Sequence, residues 1–128
     1  MDQEYNIKIA DFGFAAPIKG RYDGSQNPEK SGKLFSFLGT PGQVAPEIMK
    51  LNKNEGYSGQ LVDVFNAGII LFCMVLQKMP FGEASDKDVN YKWVVRDNAE
   101  QFWQSHVKQG TPVMNLSQNC REIIFAML

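Results

Sequence analysis

Residues 60–78 read QLVDVFNAGIILFCMVLQK, and apolar side chains dominate this stretch. At the helical repeat of 3.6 residues per turn, they fall on every side of the helix that the stretch would form. A helix that is apolar all round belongs in the interior of a fold, so we predict a central buried helix here. Pro80 follows closely, and proline cannot continue a helix.

Upstream of this helix we predict one short helix, one loop and one strand. Pro46 and Glu47 suit the first turn of a short helix over residues 45–51. Residues 14–38 show no sustained period and contain several glycines, which is typical of a long loop. Residues 6–10 alternate apolar and polar side chains, as a half-buried strand does.

Three further helices are predicted downstream. Residues 85–88 resemble a capping box for a helix that carries Val89, Trp93 and Val94. The next helix has an apolar stripe made of Phe102, Trp103, His106 and Val107. Ser117 can cap a last helix with apolar residues at i, i+3, i+4, i+7 and i+8, namely Cys120, Ile123, Ile124, Met127 and Leu128. Aromatic residues at helical spacing are typical of a core, although Trp93, Phe102 and Trp103 could instead line a binding groove.

Composition narrows the class of protein. The chain has 128 residues, which is enough for one domain, and 44% of them are hydrophobic, which argues against disorder. Thirteen basic residues against fourteen acidic ones give a net charge of −1, so we expect no nucleic-acid partner. The ten apolar residues 67–76 are too few for a bilayer span, and no signal peptide is visible at residues 1–5, so we expect no membrane partner and a cytoplasmic protein.

The two cysteines and the single histidine do not indicate a metal site. Cys73 and Cys120 lie far apart in the sequence, and His106 has no ligand spacing to either of them. We therefore expect buried free thiols, as in a reducing compartment.

Five short motifs occur in a fixed order along the chain. They are Asp11-Phe12-Gly13, Gly39-Thr40-Pro41, Ala45-Pro46-Glu47, residues 63–68 and Pro80-Phe81. In this order they resemble the C-terminal lobe of a protein kinase from its magnesium-binding motif onward. The closest resemblance is to serine/threonine kinases of the calcium/calmodulin-dependent type.

The resemblance implies a mainly α fold, a fragment of a protein-kinase-like C-terminal lobe. It has one short N-terminal strand, a long activation loop, and then about five helices around a central buried helix. Residues 1–128 would form a partial kinase domain, with the strand and magnesium motif in residues 1–13, the activation segment in 14–47 and the helical lobe in 48–128. No glycine, proline or basic turn follows the last helix, so we expect a domain truncated at both ends.

The resemblance also implies roles for the first motif. The aspartate matching Asp11 ligates the Mg²⁺ that bridges the phosphates of ATP, a role that suits a hard oxygen anion. Phe12 would pack to set the active state, and Gly13 would permit the backbone rotation that the motif needs. An ordinary turn residue after a strand is the alternative for Asp11.

In the activation segment the resemblance covers Gly39, Thr40, Pro41, Gln43, Ala45, Pro46 and Glu47. The hydroxyl matching Thr40 bonds to the catalytic-loop aspartate, and Glu47 would pair with an arginine that this sequence does not contain. Gln43 departs from the tyrosine that the family usually has. Ser36 lies three residues before Gly39, at the family's phosphorylation site, with an unmodified loop serine as the alternative.

Three residues of the central stretch match family positions. Asp63 would accept hydrogen bonds from the catalytic loop, or else cap its helix. Phe65 replaces the family's tryptophan, and Gly68 matches a family glycine. We expect both residues to have structural roles.

The catalytic parts that the sequence lacks limit what the chain can do. The 128 residues contain no Gly-x-Gly-x-x-Gly loop, no strand lysine in a Val-Ala-x-Lys setting and no His-Arg-Asp loop. For the intact parent we therefore expect ATP, Mg²⁺, a protein substrate and an upstream kinase. For this chain alone we expect no catalytic base and no tight binding of the cofactors. We also expect the isolated chain to fold poorly. The alternatives are a non-catalytic binding module that presents the activation segment and helical surface to partners, and an unrelated all-helical structural domain.

Overall fold

The computed structural model describes residues 3–4, 6–17, 33–40, 42–51, 55–107 and 115–128. A short 3-10 helix, Phe12–Phe14, is followed by β1 (Lys33–Leu34), α1 (Pro46–Met49), β2 (Tyr57–Ser58), α2 (Gly59–Leu76), α3 (Tyr91–Val95), α4 (Ala99–Val107) and α5 (Gln118–Met127). The two strands pair antiparallel, with Lys33 opposite Ser58 and Leu34 opposite Tyr57. The described part of the chain is thus mainly helical, as expected.

Helix α2 has clear signals at both ends. The Oγ of Ser58 accepts a hydrogen bond from the backbone N–H of Leu61 at 3.4 Å, which caps the first turn. At the other end Gln77 takes the left-handed conformation, with φ 55°, and its N–H donates to the carbonyl of Cys73. The predicted long helix over residues 60–78 is confirmed to within two residues at each end.

The prediction that α2 is buried on all sides is wrong for the described residues. Phe65, Gly68, Ile69, Phe72 and Leu76 are buried, but several apolar side chains elsewhere on the helix are exposed. The exposed set includes Leu61 at 64%, Val64 at 46%, Ile70 at 58% and Met74 at 67%. The reason is that the described helices and turns pack along one side of α2 only.

Helix α2 is also longer than residues 67–76 suggested. All 18 residues together are long and apolar enough to cross a membrane by length and composition, a test that core helices of soluble proteins also pass. The sequence argument that the apolar segment is too short for a span is therefore wrong. The buried side of α2 contacts α5 and two apolar clusters, as a core helix does.

The core consists of two apolar clusters arranged along α2. The first joins the N-terminal half of α2 to α1, β2 and the turns before α3, through Ala45, Ile48, Tyr57, Phe65, Ile69, Phe81, Ala84 and Tyr91. The second joins the C-terminal half of α2 to α4 and α5, through Phe72, Leu76, Phe102, Trp103 and Ile124. Phe102 and Trp103 therefore serve the core, whereas Trp93 is half-buried beside the Lys92 and Arg96 cations at 4.8 and 5.4 Å.

Two predicted features upstream differ from the structure. Residues 6–10 form no strand, and Ile7 and Ile9 are more than 80% exposed. A strand needs a neighbour for its backbone groups, and no described segment pairs with these residues. Within the predicted loop over residues 14–38, Lys33–Leu34 forms a strand, and residues 18–32 lie outside the described part.

The predicted capping box at residues 85–88 is also wrong. Val89 is 69% exposed and precedes the helix, which starts only at Tyr91. The side chain that holds this start is Asp88, whose Oδ1 accepts from the N–H groups of Asn90 and Tyr91 at 2.8 and 2.9 Å.

The last two helices agree with their sequence signals. Helix α4 buries Phe102, Trp103 and His106, as the apolar stripe predicts. The Oγ of Ser117 accepts from the N–H of Cys120 at 3.2 Å and so caps α5, which confirms the predicted cap. Both cysteines are free, but they are only half-buried, so the expectation that they are buried is wrong.

Candidate functional site

A cleft of about 520 Å³ lies between the N-terminal segment, residues 34–44 and the first turns of α2. Six of the residues that the sequence assigns to a site line this cleft: Asp11, Phe12, Gly39, Thr40, Gln43 and Asp63. They come from three separate motifs. The fold therefore brings together residues that lie up to about fifty positions apart in the sequence.

Asp11 takes a backbone conformation that few residues adopt. Its φ is 60° and its ψ is 80°, in the left-handed region, which aspartate tolerates better than most residues. Its Oδ1 accepts a hydrogen bond from the N–H of Gly13 at 3.2 Å and so caps the short 3-10 helix. Asp11 is exposed and faces the cleft, where a carboxylate can reach a ligand.

The two neighbours of Asp11 in the motif behave differently from the expectation. The residue with positive φ is Asp11 and not Gly13, so the unusual backbone conformation lies two positions earlier in the motif. A Cβ at Gly13 would lie 3.2 Å from Asp11 Oδ1, so glycine here leaves room for the carboxylate. Phe12 lines the cleft, but 69% of its side chain is exposed, so it is not packed in the described part of the structure.

Thr40 and Gln43 are joined by a backbone hydrogen bond shortly before α1 begins at Pro46. Gly39 has a φ of 144°, and a Cβ there would lie 3.0 Å from Val44 Cγ2. The N–H of Gln43 donates to the carbonyl of Thr40 at 2.9 Å, which closes the turn. Pro41 lies outside the described residues. This turn places Thr40 and Gln43 on the cleft.

The end of this segment is fixed in the core. Ala45 is fully buried, Pro46 occupies the first turn of α1, and Glu47 is the acidic residue of that turn, as predicted. Burial and the nearby negative charge of Glu47 raise the pKa of Tyr91 to about 12. Glu47 therefore interacts with the first apolar cluster and does not line the cleft.

Asp63 lies on α2 and is exposed towards the cleft. The alternative that Asp63 caps its helix is wrong, because Ser58 is the N-cap residue. Two carboxylates, Asp11 and Asp63, thus line the same cleft on different elements.

Phe65 and Gly68 have structural positions, as expected. Phe65 is 5% exposed and stacks on Phe81 with ring centroids 6.0 Å apart. A Cβ at Gly68 would lie 2.8 Å from the Cβ of Met127, so the glycine allows α2 and α5 to pack closely.

Ser36 is exposed on the segment that precedes the turn. Its backbone carbonyl accepts a hydrogen bond from the hydroxyl of Tyr57 at 2.8 Å. Its side chain is on the surface, which is where a modifying enzyme would need it.

A sequence model of the protein kinase domain matches residues 1–128, which is the whole chain. The chain belongs to the protein kinase family. The match covers every motif described above, including the cleft residues.

Several plant kinases are similar to this kinase chain. CBL-interacting protein kinase 17 of Oryza sativa subsp. japonica is 33% identical over 109 residues, which is 85% of this chain and 22% of that protein. CBL-interacting protein kinase 21 of the same plant is 33% identical over 99 residues, 77% of this chain and 17% of that protein. CBL-interacting serine/threonine-protein kinase 16 of Arabidopsis thaliana is 32% identical over 81 residues, 63% of this chain and 17% of that protein.

These relatives confirm the predicted resemblance to serine/threonine kinases of the calcium/calmodulin-dependent type. The chain spans only about a fifth of the length of the relatives that it matches.

The donor set of the cleft fits a magnesium ion that a kinase brings in with its nucleotide. Mg²⁺ is usually held by one or two protein carboxylates together with phosphate and water oxygens. Among the described residues there is no group of three or more His, Cys, Asp or Glu side chains that could hold a metal alone. Asp11, which lines the cleft, is the residue that would supply such a carboxylate.

Sequence reasoning missed the contacts that three residues make in this kinase fold. Tyr57 bonds to Ser36, Asp88 accepts from four backbone N–H groups, and His106 is buried with its two ring nitrogens near carbonyl oxygens. The position of Asp88, three residues before Tyr91, is the one sequence signal that could have revealed its cap. Tyr57 and His106 act on residues 21 and 26 positions away, which no local pattern shows.

Proposed function

We propose that this chain is part of the C-terminal lobe of a serine/threonine protein kinase. In the intact protein it would help to transfer the γ-phosphoryl group of ATP to serine or threonine hydroxyls of a protein substrate. The observation that carries the proposal is that Asp11, Thr40 and Asp63 line one cleft, in a chain whose whole length matches the kinase domain.

Asp11 is proposed as the ligand of the nucleotide-bound Mg²⁺. The ion, when bound, neutralises charge on the β- and γ-phosphates. The left-handed backbone at Asp11 and the hydrogen bond from Gly13 fix one carboxylate oxygen, which orients the side chain on the cleft. A fixed orientation reduces the entropy that ligation would otherwise cost.

Thr40 and Gln43 are proposed to contact the protein substrate and the catalytic loop. Both lie on the cleft, and the hydrogen bond between their backbones fixes their spacing. The hydroxyl of Thr40 would bond to the catalytic-loop aspartate of the intact domain. Gln43 stands where tyrosine is usual in the family, so we expect it to alter substrate preference at this point.

We propose that the 128-residue chain by itself transfers no phosphate and binds nucleotide weakly. The sequence holds no Gly-rich loop, no phosphate-anchoring lysine and no His-Arg-Asp base. Charge stabilisation and positioning supply nearly all of the acceleration in phosphoryl transfer, so their loss removes the activity.

A non-catalytic binding role is the second candidate, and one observation favours it. The exposed apolar side of α2, which includes Ile70, Leu71 and Met74, is a surface that another protein segment could cover. The remainder of a kinase domain would cover this side in the first proposal, and a separate partner protein would cover it in the second.

The test uses the full-length product of the gene that encodes this chain, beside the 128-residue chain. Each is incubated with radiolabelled ATP, Mg²⁺ and a serine-containing peptide library. We expect label transfer by the gene product and none by the chain. A gene product that transfers no label while it still captures a partner through α2 would favour the binding role, and transfer by the chain alone would contradict its proposed inactivity.

Ser36 is proposed as the phosphorylation site of an upstream kinase. It is exposed, it lies three residues before Gly39, and Lys33 on the same segment supplies positive charge nearby. The test is a phosphopeptide map of the active gene product together with the Ser36→Ala variant. We expect phosphate on Ser36 and a loss of activity in the variant, whereas a fully active variant would refute this role.

We place this reaction in the cytoplasm. The chain has two cysteines, and both are free thiols in the structure. Free thiols fit a reducing compartment. Fractionation of cells that express a tagged gene product is the direct check.

A further inference from the structure

Among the described residues, the segment that carries Ser36 is joined to the rest of the fold by a short strand pair. Strands β1 and β2 have two residues each, and Leu34 lies opposite Tyr57 in their pairing. A two-stranded ribbon this short is not stable in water without other contacts. Side-chain contacts must therefore decide whether residues 33–36 stay docked.

Tyr57 supplies a contact to the segment beyond the strand pair. Its ring is 7% exposed and belongs to the first apolar cluster. Its hydroxyl donates to the carbonyl of Ser36 at 2.8 Å, two residues beyond its strand partner Leu34. One end of this side chain is thus anchored in the core, and the other end holds the backbone at Ser36.

Two glycines beside Tyr57 let the segment approach closely. Gly56 has a φ of 61°, and a Cβ there would lie 2.7 Å from the ring of Phe35 and 2.9 Å from the carbonyl oxygen of Leu34. A Cβ at Gly59 would lie 2.8 Å from Leu34 Cδ1. Any side chain at Gly56 would collide with backbone, so this position controls docking strongly.

We propose that Gly56, Tyr57 and Gly59 form a latch that holds residues 33–36 docked, with Tyr57 as the positioning residue for Ser36. The latch restricts modification of Ser36, because a segment held in a strand pair must open before an enzyme can bind it in an extended form. The restriction of Ser36 modification rests on the proposed phosphorylation of Ser36, whereas the docking of residues 33–36 by the latch does not.

The latch also shapes the candidate site. Leu34, Leu38 and Thr40 line the same cleft as Asp11, and Tyr57 and Gly59 line it as well. Release of the segment would therefore remove one wall of the cleft. The docking state of residues 33–36 and the shape of the cleft are coupled through shared residues.

The test compares Tyr57→Phe with Tyr91→Phe in the full-length gene product. Tyr91 is a matched control, because its ring is 5% exposed and its hydroxyl also donates to a backbone carbonyl, that of Leu128, at 3.4 Å. Both variants keep the ring in the core and lose one oxygen atom. Chymotrypsin cleavage after Phe35 and Phe37 reports the opened segment, since cleavage tracks the population of the open state.

Loss of one hydrogen bond should raise the open population about fivefold. We therefore expect cleavage about fivefold faster in Tyr57→Phe, unchanged in Tyr91→Phe, and faster again in Gly56→Ala. Amide exchange of residues 34–36 is compared with that of residues 69–75 in the same sample. Exchange that rises equally in both regions would mean global unfolding and would refute the latch, as would an unchanged cleavage rate.

A phosphate measurement separates the latch from the role of Ser36. Mass spectrometry on the same variants, isolated from cells, gives the phosphorylated fraction at Ser36. Faster cleavage with more phosphate in Tyr57→Phe supports both proposals. Faster cleavage with no phosphate at Ser36 in any variant leaves the latch supported and removes Ser36 as the modified residue.

Discussion

Asp88 is the side chain whose removal gives the sharpest test of how the turn before α3 is held. Its Oδ2 accepts from the N–H groups of Gly82 and Glu83 at 3.0 and 3.3 Å, and its Oδ1 accepts from those of Asn90 and Tyr91 at 2.8 and 2.9 Å. One carboxylate thus ties both ends of the turn together. We predict that Asp88→Ala destabilises the fold.

The size of the effect follows from the burial of the four donors. The bonds to Gly82 and Glu83 are exposed, so water can replace the carboxylate there at little cost. The bonds to Asn90 and Tyr91 are partly buried at the start of α3, where loss of a cap costs about 0.5–2 kcal/mol. We expect the free energy of unfolding to fall by about 1–2 kcal/mol.

Urea unfolding of the gene product at pH 7 measures this loss. Asp88→Asn keeps one acceptor oxygen and should lose about half as much, and Asp86→Ala, an exposed neighbour, should lose nothing measurable. If Asp88→Ala lost no more free energy of unfolding than Asp86→Ala, the reasoning would be refuted, because the four backbone N–H donors would then be satisfied without the carboxylate.

The pKa of Asp88 adds a pH dependence to this prediction. Burial alone would raise that pKa, but the four backbone N–H groups hold it below its ordinary value. Asp88 therefore contributes stability that is present above about pH 4 and is lost as the pH falls through the lowered folded pKa. Acid titration of wild type and Asp88→Ala should converge below that pH, and curves that stay parallel would contradict this account.

Three further predictions concern packing, pH and solubility. Gly68→Val should lower the free energy of unfolding by about 1–3 kcal/mol in urea, because a Cβ there meets Met127 at 2.8 Å, whereas Gly82→Ala, with ordinary contact at 3.4 Å, should be neutral. Burial, helped by the Lys78 charge, lowers the pKa of His106, so the free energy of unfolding should fall as the pH drops below about 6.5. The variant His106→Asn should flatten that pH dependence, and a variant with the wild-type pH dependence would contradict the prediction. The isolated chain should aggregate through the exposed side of α2, as size-exclusion chromatography would show, and a soluble monomer with a cooperative melt and slow exchange over residues 69–75 would contradict this.

The sequence predicts the helices and the cap of α5 because their signals are local. Helix α2 follows from an apolar run, and the cap of α5 follows from Ser117 three residues before Cys120. The ordered motifs name the residues that line the cleft, but only the structure shows that these residues lie together. For these features the local pattern and the tertiary structure agree.

The features that the sequence did not predict depend on contacts between distant residues. Whether each side of α2 is covered depends on neighbours, so periodicity alone overestimated its burial. The strand predicted over residues 6–10 failed because pairing needs a partner, and the observed strands are two residues long, too short for a pattern. His106 looks like one member of an apolar stripe, yet its ring nitrogens lie 2.7 and 2.9 Å from the carbonyls of Phe102 and Pro80.

The central claim is that Asp11 carries the magnesium-bound nucleotide of a serine/threonine kinase. The most direct measurement is the rate of phosphoryl transfer by the full-length gene product with Asp11→Asn, beside Asp86→Asn as an exposed carboxylate away from the cleft. Because charge stabilisation dominates this chemistry, we predict a loss of at least about 100-fold for Asp11→Asn and full activity for Asp86→Asn. An Asp11→Asn enzyme that keeps wild-type activity over the same range of Mg²⁺ concentrations would contradict the account.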